Sequence, residues 1–287
     1  MRLPPFELHR PQTLEEASRL LSELGPDAQP YCGGTELLLV AKLGLTEFRH
    51  LVDLKGIEEL SGIETNGELR IGSATTHREI ERSAVIRERW PSLAAMERDV
   101  ANIRVRNVGT IGGNLCFADP HSDPATYLTA AGGWLSARRD GAEARRLAIE
   151  AFTRGPYTTV LEPGELLVSV HVPPLTPGSA LVHRKLSFHE RPAVTVAASI
   201  TVRDEQIAEV RIAVGSVGLT ARRLTGAEEA LSQLDAGHPD LRACAEIAAA
   251  EAEPLADANG SIEYKRQLVR VMVERTVREA LAEARCS

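Results

Sequence analysis

The chain has 287 residues, a length that suggests two domains at about 100–200 residues each. Hydrophobic residues make up 43% and charged residues 25%, the balance of an ordinary soluble globule with ample core. Thirty-three basic against 40 acidic side chains leave a formal charge of −7, which argues against a nucleic-acid or anionic-membrane binder, since those need a basic face. No apolar run approaches the roughly 18 residues that would cross a bilayer. Met1-Arg2-Leu3-Pro4-Pro5 has no apolar signal core, so the expected location is the cytoplasm. The cysteines, Cys32, Cys116, Cys244 and Cys286, form no CxxC pair, so the usual zinc and iron–sulfur spacings are missing and no disulfide is expected. Redox chemistry on this chain would need an organic cofactor. Of the basic residues only Lys42, Lys55, Lys185 and Lys265 are lysine, which makes each of them conspicuous.

In chain order, Thr13 to Leu24 reads as a helix, with Leu14, Ala17, Leu20, Leu21 and Leu24 on one face, Thr13 as N-cap and Gly25-Pro26 as stop. An extended piece ending at Tyr31 leads into Gly33-Gly34 and a helical run from Thr35 to Leu43. Strands are expected at His50–Leu54 and Leu69–Gly72, a helix capped by Thr75 or Thr76 through Arg82, and another over Trp90–Val105. Gly109 to Pro124, rich in Gly, Asp and Pro, reads as a loop. From Trp134 the period changes to two, predicting strands at Trp134–Ala137, Leu147–Ile149, Leu166–Val172, Ala180–Leu186, Val194–Val202 and Ile207–Val214. Pro173 to Gly178 is the most linker-like stretch. Helices follow at Gly226–Leu234, Leu241–Ala250 and Ile262–Ala284, the last with Ile262, Leu268, Val271, Met272, Arg275 and Ala280 around a one-sided apolar stripe. There is no repeat of solenoid length, and the pattern gives an α+β fold.

Two glycine pairs dominate the motifs: Tyr31-Cys32-Gly33-Gly34-Thr35-Glu36-Leu37 and Gly109-Thr110-Ile111-Gly112-Gly113-Asn114-Leu115. Residues without a Cβ let backbone N–H groups approach a ligand, and the first pair opens a helix whose N-terminal amides favour an anion. Thr35, Thr110 and Asn114 add side-chain donors, so two loops 79 residues apart can grip a diphosphate from both sides. Each pair alone is equally a tight turn. No GxGxxG and no GxxxxGK[ST] occurs, so neither a Rossmann nor a P-loop site is encoded. In Cys116 to Pro124 adjacent residues cannot form a Ser–His–Asp triad, and too few ligands are present for a metal. Asp119 and Asp123 are either hydrogen-bond acceptors for ligand hydroxyls or local Asp-Pro turns.

Cys32-Gly33-Gly34-Thr35-Glu36 together with Thr110-Ile111-Gly112-Gly113-Asn114, Asp119-Pro120 and Asp123 resembles the FAD-binding medium subunit of the xanthine oxidase and carbon monoxide dehydrogenase family of molybdenum hydroxylases. The likeness extends to Phe6-Glu7-Leu8-His9-Arg10-Pro11, Ile71 to His77 and Glu162-Pro163-Gly164-Glu165-Leu166-Leu167, covering nearly the whole chain. The resemblance implies a two-part FAD-binding domain of the PCMH/vanillyl-alcohol-oxidase type over residues 1–175, with α/β subdomains of about 1–56 and 57–175. A C-terminal strand-and-helix domain of the CO dehydrogenase flavoprotein type would cover 178–287. It implies non-covalent FAD held at the diphosphate by Cys32, Gly33, Gly34, Thr35, Glu36 and Leu37 and by Thr110, Gly112, Gly113 and Asn114. Asp123 would accept from the ribityl or ribose hydroxyls, Leu167 would pack near the ring or adenine, and Lys185 would stabilise negative charge on reduced flavin. No residue of this chain is then expected to be catalytic, and none to hold a metal. Molybdenum cofactor and [2Fe-2S] clusters would reside on a large and a small partner subunit, in a dimer of heterotrimers. The chain departs from the family at Cys32, where a small alanine is usual, and at Ala193, where some relatives cover the flavin with an aromatic ring. The competing expectation is a free-standing flavin oxidase of the related fold, with an acid/base drawn from His121, His183 or His189. A scaffold that has lost its FAD is a third, against which the intact glycine loops speak.

Overall fold

The computed structural model describes residues 3–188, 191–237 and 239–286. It is a mixture of helices and mainly antiparallel sheets, in two compact units that interleave along the sequence. The first comprises Met1–Ser83, Glu97–Ala118 and Trp134–Val172, the second Ala84–Met96, Asp119–Gly133 and Pro173–Ser287.

The first unit opens with β1 (Glu7–His9), α1 (Leu14–Leu24), β2 (Ala28–Tyr31), α2 (Leu37–Lys42) and β3 (His50–Asp53). Thr13 caps α1 by accepting from the Glu16 N–H, and Gly25, at φ 59°, ends it. Leu14, Ala17 and Leu21 fall on one face and bury against Val52 of the parallel sheet β1-β3-β2. The chain continues through β4 (Ile63–Thr65), β5 (Leu69–Gly72), α3 (His77–Arg82), α4 (Ala84–Arg89), α5 (Pro91–Asp99), α6 (Ile103–Arg106), α7 (Ile111–Phe117) and α8 (Asp123–Ala131). Then come β6 (Trp134–Arg138), β7 (Arg145–Ala148), α9 (Ile149–Phe152), β8 (Thr153–Gly155), β9 (Thr158–Thr159) and β10 (Leu166–Val172). The second sheet is antiparallel, in the order β4-β5-β10-β6-β7. Its middle strand β10 is buried at every position, which is why its sequence is an almost unbroken apolar run rather than an alternation.

The second unit is built on β11 (Ser179–Ser187), β12 (Pro192–Arg203), β13 (Gln206–Gly215) and β14 (Arg222–Arg223), followed by α10 (Thr225–Ser232), α11 (Arg242–Glu251) and α12 (Ile262–Ala284). Strand β12 shows the period of two: Val194, Val196, Ala198 and Ile200 face the three C-terminal helices, while Ala197 faces Ala130 of α8. No helix among the described residues is long and apolar enough to cross a membrane.

Three expectations need correction. Residues 109–124 are not a loop, since α7 occupies Ile111–Phe117 and α8 begins at Asp123. The run expected as one helix over Trp90–Val105 breaks into α5 and α6, because Ala101 sits at φ 43° and Asn102 caps a new helix. The buried face of α12 runs through Lys265, Val269, Met272, Val273, Thr276 and Val277, leaving Arg275 exposed. Lys265 is tolerated there because its ammonium lies 2.7 Å from Asp257.

Candidate functional site

In the first unit the two glycine segments meet. An ideal Cβ on Gly33 would fall 2.2 Å from the Val108 carbonyl oxygen and 2.6 Å from Gly109 Cα, so only glycine lets these backbones touch. The Cys32 side chain lies beside Thr110 of the second segment, where burial pushes the thiol pKa up and Thr110 offsets a smaller part of that push. Both line one cavity of about 640 Å³, within the range of about 300–1,000 Å³ usual for cofactor sites. Cys32, Gly33, Gly34, Thr35, Glu36, Leu37, Thr110, Gly112, Gly113, Asn114 and Leu167 all belong to its lining, every residue of which is in the first unit.

The two segments contribute differently. The second was expected to aim its backbone amides at a ligand, but it is helical and has used them. Ile111 N–H donates to Thr75 O at 3.1 Å, Gly112 N–H to Ser73 O at 2.9 Å, and Gly113 N–H to the capping Thr110 Oγ1 at 3.0 Å. Gly112 lacks a Cβ because one would lie 2.5 Å from the Ser73 Cβ, a packing requirement rather than a ligand's. Gly113 meets only Thr110 Oγ1, at 2.9 Å. In the first segment the backbone N–H groups of Gly33, Gly34 and Thr35 have no hydrogen-bond partner among the described residues. Three consecutive free donors at a concave wall are the chemistry an anionic group needs.

Several wall residues enter the sequence reading only through stretches that carry the family resemblance. Glu162, Pro163, Gly164 and Leu166 join Leu167 in the lining. Gly164 is held by Ser18, whose hydroxyl donates to its carbonyl oxygen at 2.7 Å. His77 also lines the cavity; its backbone N–H donates to Gly109 O and its ring pairs with the fully buried Glu97 at 2.6 Å. His77 ends the Ile71–His77 stretch of the resemblance and opens α3, which Thr76 and Glu79 cap reciprocally. Burial pushes the Cys32 thiol up to about 11 and the Cys116 thiol up to about 12, so both stay protonated and neither is a nucleophile at neutral pH.

Asp123 and Lys185 lie in the second unit, where their side chains pair at 2.7 Å. His183 stands beside them, its Nε2 3.8 Å from Asp123 Oδ1. Burial, seconded by the Lys185 charge, pushes its imidazole down to about 3, so it is neutral in the folded chain. The unfolded chain takes up a proton at the ordinary histidine value, so this stability is complete above about pH 6.5 and drains as pH falls towards 3. The urea midpoint is therefore expected to drop between about pH 7 and pH 5, and to drop less in His183→Asn. An equal drop in the variant refutes the assignment. His121 bonds Asp119 at 2.9 Å, and Arg191 also pairs with that carboxylate. Ala193 is fully buried, and His189 lies outside the described residues.

Residues 4–175 match the family described as FAD binding domain in molybdopterin dehydrogenase, and residues 187–280 match the CO dehydrogenase flavoprotein C-terminal domain. The chain is similar to the carbon monoxide dehydrogenase medium chain of Hydrogenophaga pseudoflava, at 32% identity over 99% of each chain. It is also similar to the xanthine dehydrogenase FAD-binding subunit of Escherichia coli O157:H7, at 30% identity over 96% of each. Among solved structures, a chain of the H. pseudoflava carbon monoxide dehydrogenase superposes with a TM-score of 0.94 at 32% identity, covering 98% of this chain and 99% of that one.

Proposed function

Because the chain belongs to the family of FAD-binding domains of molybdopterin dehydrogenases, we propose that it is the FAD-carrying electron-transfer subunit of a molybdenum hydroxylase. Electrons would arrive from [2Fe-2S] clusters on a small partner and leave for an external acceptor. Substrate chemistry would take place at a molybdenum cofactor on a large partner, in a cytoplasmic dimer of heterotrimers. Residues 1–175 would form the FAD-binding domain, with subdomains of about 1–56 and 57–175, and residues 178–287 the C-terminal domain.

The observation that carries this reading is the row of free N–H groups at Gly33, Gly34 and Thr35, residues that line one cavity together with Thr110, Gly112, Gly113 and Asn114. FAD bound there supplies the capacity to take up and release electrons one or two at a time. The three N–H groups would donate to its diphosphate. Thr110 caps α7 and lies beside Cys32 of the first segment. Gly112 lets α7 sit against Ser73, and Asn114 lines the cavity beside it. Glu36 and Leu37, at the start of α2, and Leu167, on β10, would close the walls and exclude water. Asp123 and Lys185 keep the ribityl and ring roles that the family resemblance gives them. No thiolate or other activated nucleophile is required of this chain, which agrees with the two protonated cysteines of the cavity.

The purified chain is expected to carry, or after stripping to take up, one equivalent of FAD, followed by absorbance and fluorescence. Riboflavin, which lacks the diphosphate, is expected to bind at least about a hundredfold more weakly, since charge-assisted bonds contribute about 1.5–3 kcal/mol each. A chain that binds neither, or both alike, refutes the proposal. Co-purification of molybdenum- and iron-containing partners from the native source tests the assembly separately.

A further inference from the structure

The strand pairing that opens the chain gathers three metal-ligand side chains at one spot. In the parallel β1–β3 pair Glu7 stands opposite His50, and His9, two residues along β1, shares the face of Glu7. His9 Nε2 and His50 Nδ1 are 3.1 Å apart, and His50 Nδ1 and Glu7 Oε2 are 3.6 Å apart. All three ligand atoms lie within 4.8 Å of one another. A tetrahedral ion with bonds of about 2.0–2.1 Å has ligand–ligand edges of about 3.3–3.4 Å, which these two separations bracket. Without an ion, one imidazole must donate its single N–H to the other across the 3.1 Å gap. A cation replaces that shared proton with a bond to each nitrogen.

The donor set selects the class of ion. Two imidazoles and one carboxylate suit zinc with a water in the fourth position, whereas magnesium and calcium favour all-oxygen shells. The place is accessible, because the His50 and Glu7 side chains are 23% and 68% exposed. None of the three residues lines the cavity described above.

We propose that Glu7, His9 and His50 form a surface site for a zinc-class divalent ion that staples the edge strand β1 to β3. Strand β1 has three residues and, among the described residues, pairs only with β3. On its other side β3 pairs with β2, whose end opens the Gly33-Gly34 segment. The staple therefore pins the outer strand of the sheet that carries this wall of the cavity. It does not depend on what the cavity binds.

The test uses the full untagged chain and Co²⁺ alone. Titration is expected to produce visible ligand-field bands of a four-coordinate ion, saturating at one equivalent and displaced by Zn²⁺. His9→Asn and His50→Asn are each expected to weaken binding at least about tenfold, and the double variant to abolish the bands. Zn²⁺ should raise the thermal midpoint of the wild type and leave the double variant, checked for its fold by circular dichroism, unmoved. Absence of the bands in the wild type, or their survival in the folded double variant, overturns the proposal.

Discussion

Gly33→Ala is expected to strip the purified chain of its flavin. The new methyl carbon would lie 2.2 Å from Val108 O, 2.6 Å from Gly109 Cα and 2.7 Å from Val108 C. All three are backbone atoms, so no rotamer change relieves the clash and the two segments must part. Overpacking ordinarily costs about 1–3 kcal/mol, and a contact this short against backbone belongs at the top of that range or above it. The same separation pulls Cys32 from Thr110 and shifts the free N–H groups of Gly33, Gly34 and Thr35 off the cavity wall. Gly155→Ala is the matched control, since a Cβ there meets nothing within 4 Å and its φ is not positive. The flavin-to-protein absorbance ratio should fall at least about tenfold in Gly33→Ala and stay at the wild-type value in Gly155→Ala. A Gly33→Ala chain that keeps full flavin would show that the two segments do not form one binding wall.

Lys185→Met is expected to cost about 3–5 kcal/mol of stability, read as a shift of the urea midpoint at constant slope. The ammonium lies 2.7 Å from an Asp123 carboxylate whose side chain is 6% exposed, and is itself 18% exposed. Removing it leaves a buried negative charge without that counterion. His183, a second neighbour of the carboxylate, is neutral and supplies no replacement charge. Asp123→Asn combined with Lys185→Met removes both charges, so the double variant should lose less than the sum of the single losses. Additive losses would show that the two groups are not a coupled pair.

Most of the fold could be read from the chain because local signals and tertiary packing agree. The Thr13 cap and the 14-17-21 spacing give α1, and the period of two gives β12 and β13. The segment from Gly109 to Pro124 misleads for a physical reason. Its glycines and prolines have the composition of a loop, yet Thr110 and Ser122 cap helices there, and burial of Ile111 and Leu115 decides the outcome. The cavity was legible to the extent that glycine pairs mark close backbone approach. The division of labour between the two pairs was not, because it depends on partners brought from far away: Ser73 and Thr75 for one, Val108 for the other. The pairing of His77 with Glu97 was invisible for the same reason, since nothing in the spacing of 20 residues announces a bond between them. Lys265 reads as a solvated helix residue until Asp257 is placed beside it.

Strand β10 sets a timetable. It is the last strand of its sheet to leave the ribosome, yet it sits between β5 and β6, with Val172 opposite Leu69 and Leu166 opposite Arg138. A nascent chain that stops short of Leu166 holds two separate hairpins with no strand to join them, and lacks the Leu166 and Leu167 part of the cavity wall. Completion of the cavity therefore waits for β10, and a polypeptide truncated before Leu166 is expected to be born unable to load flavin.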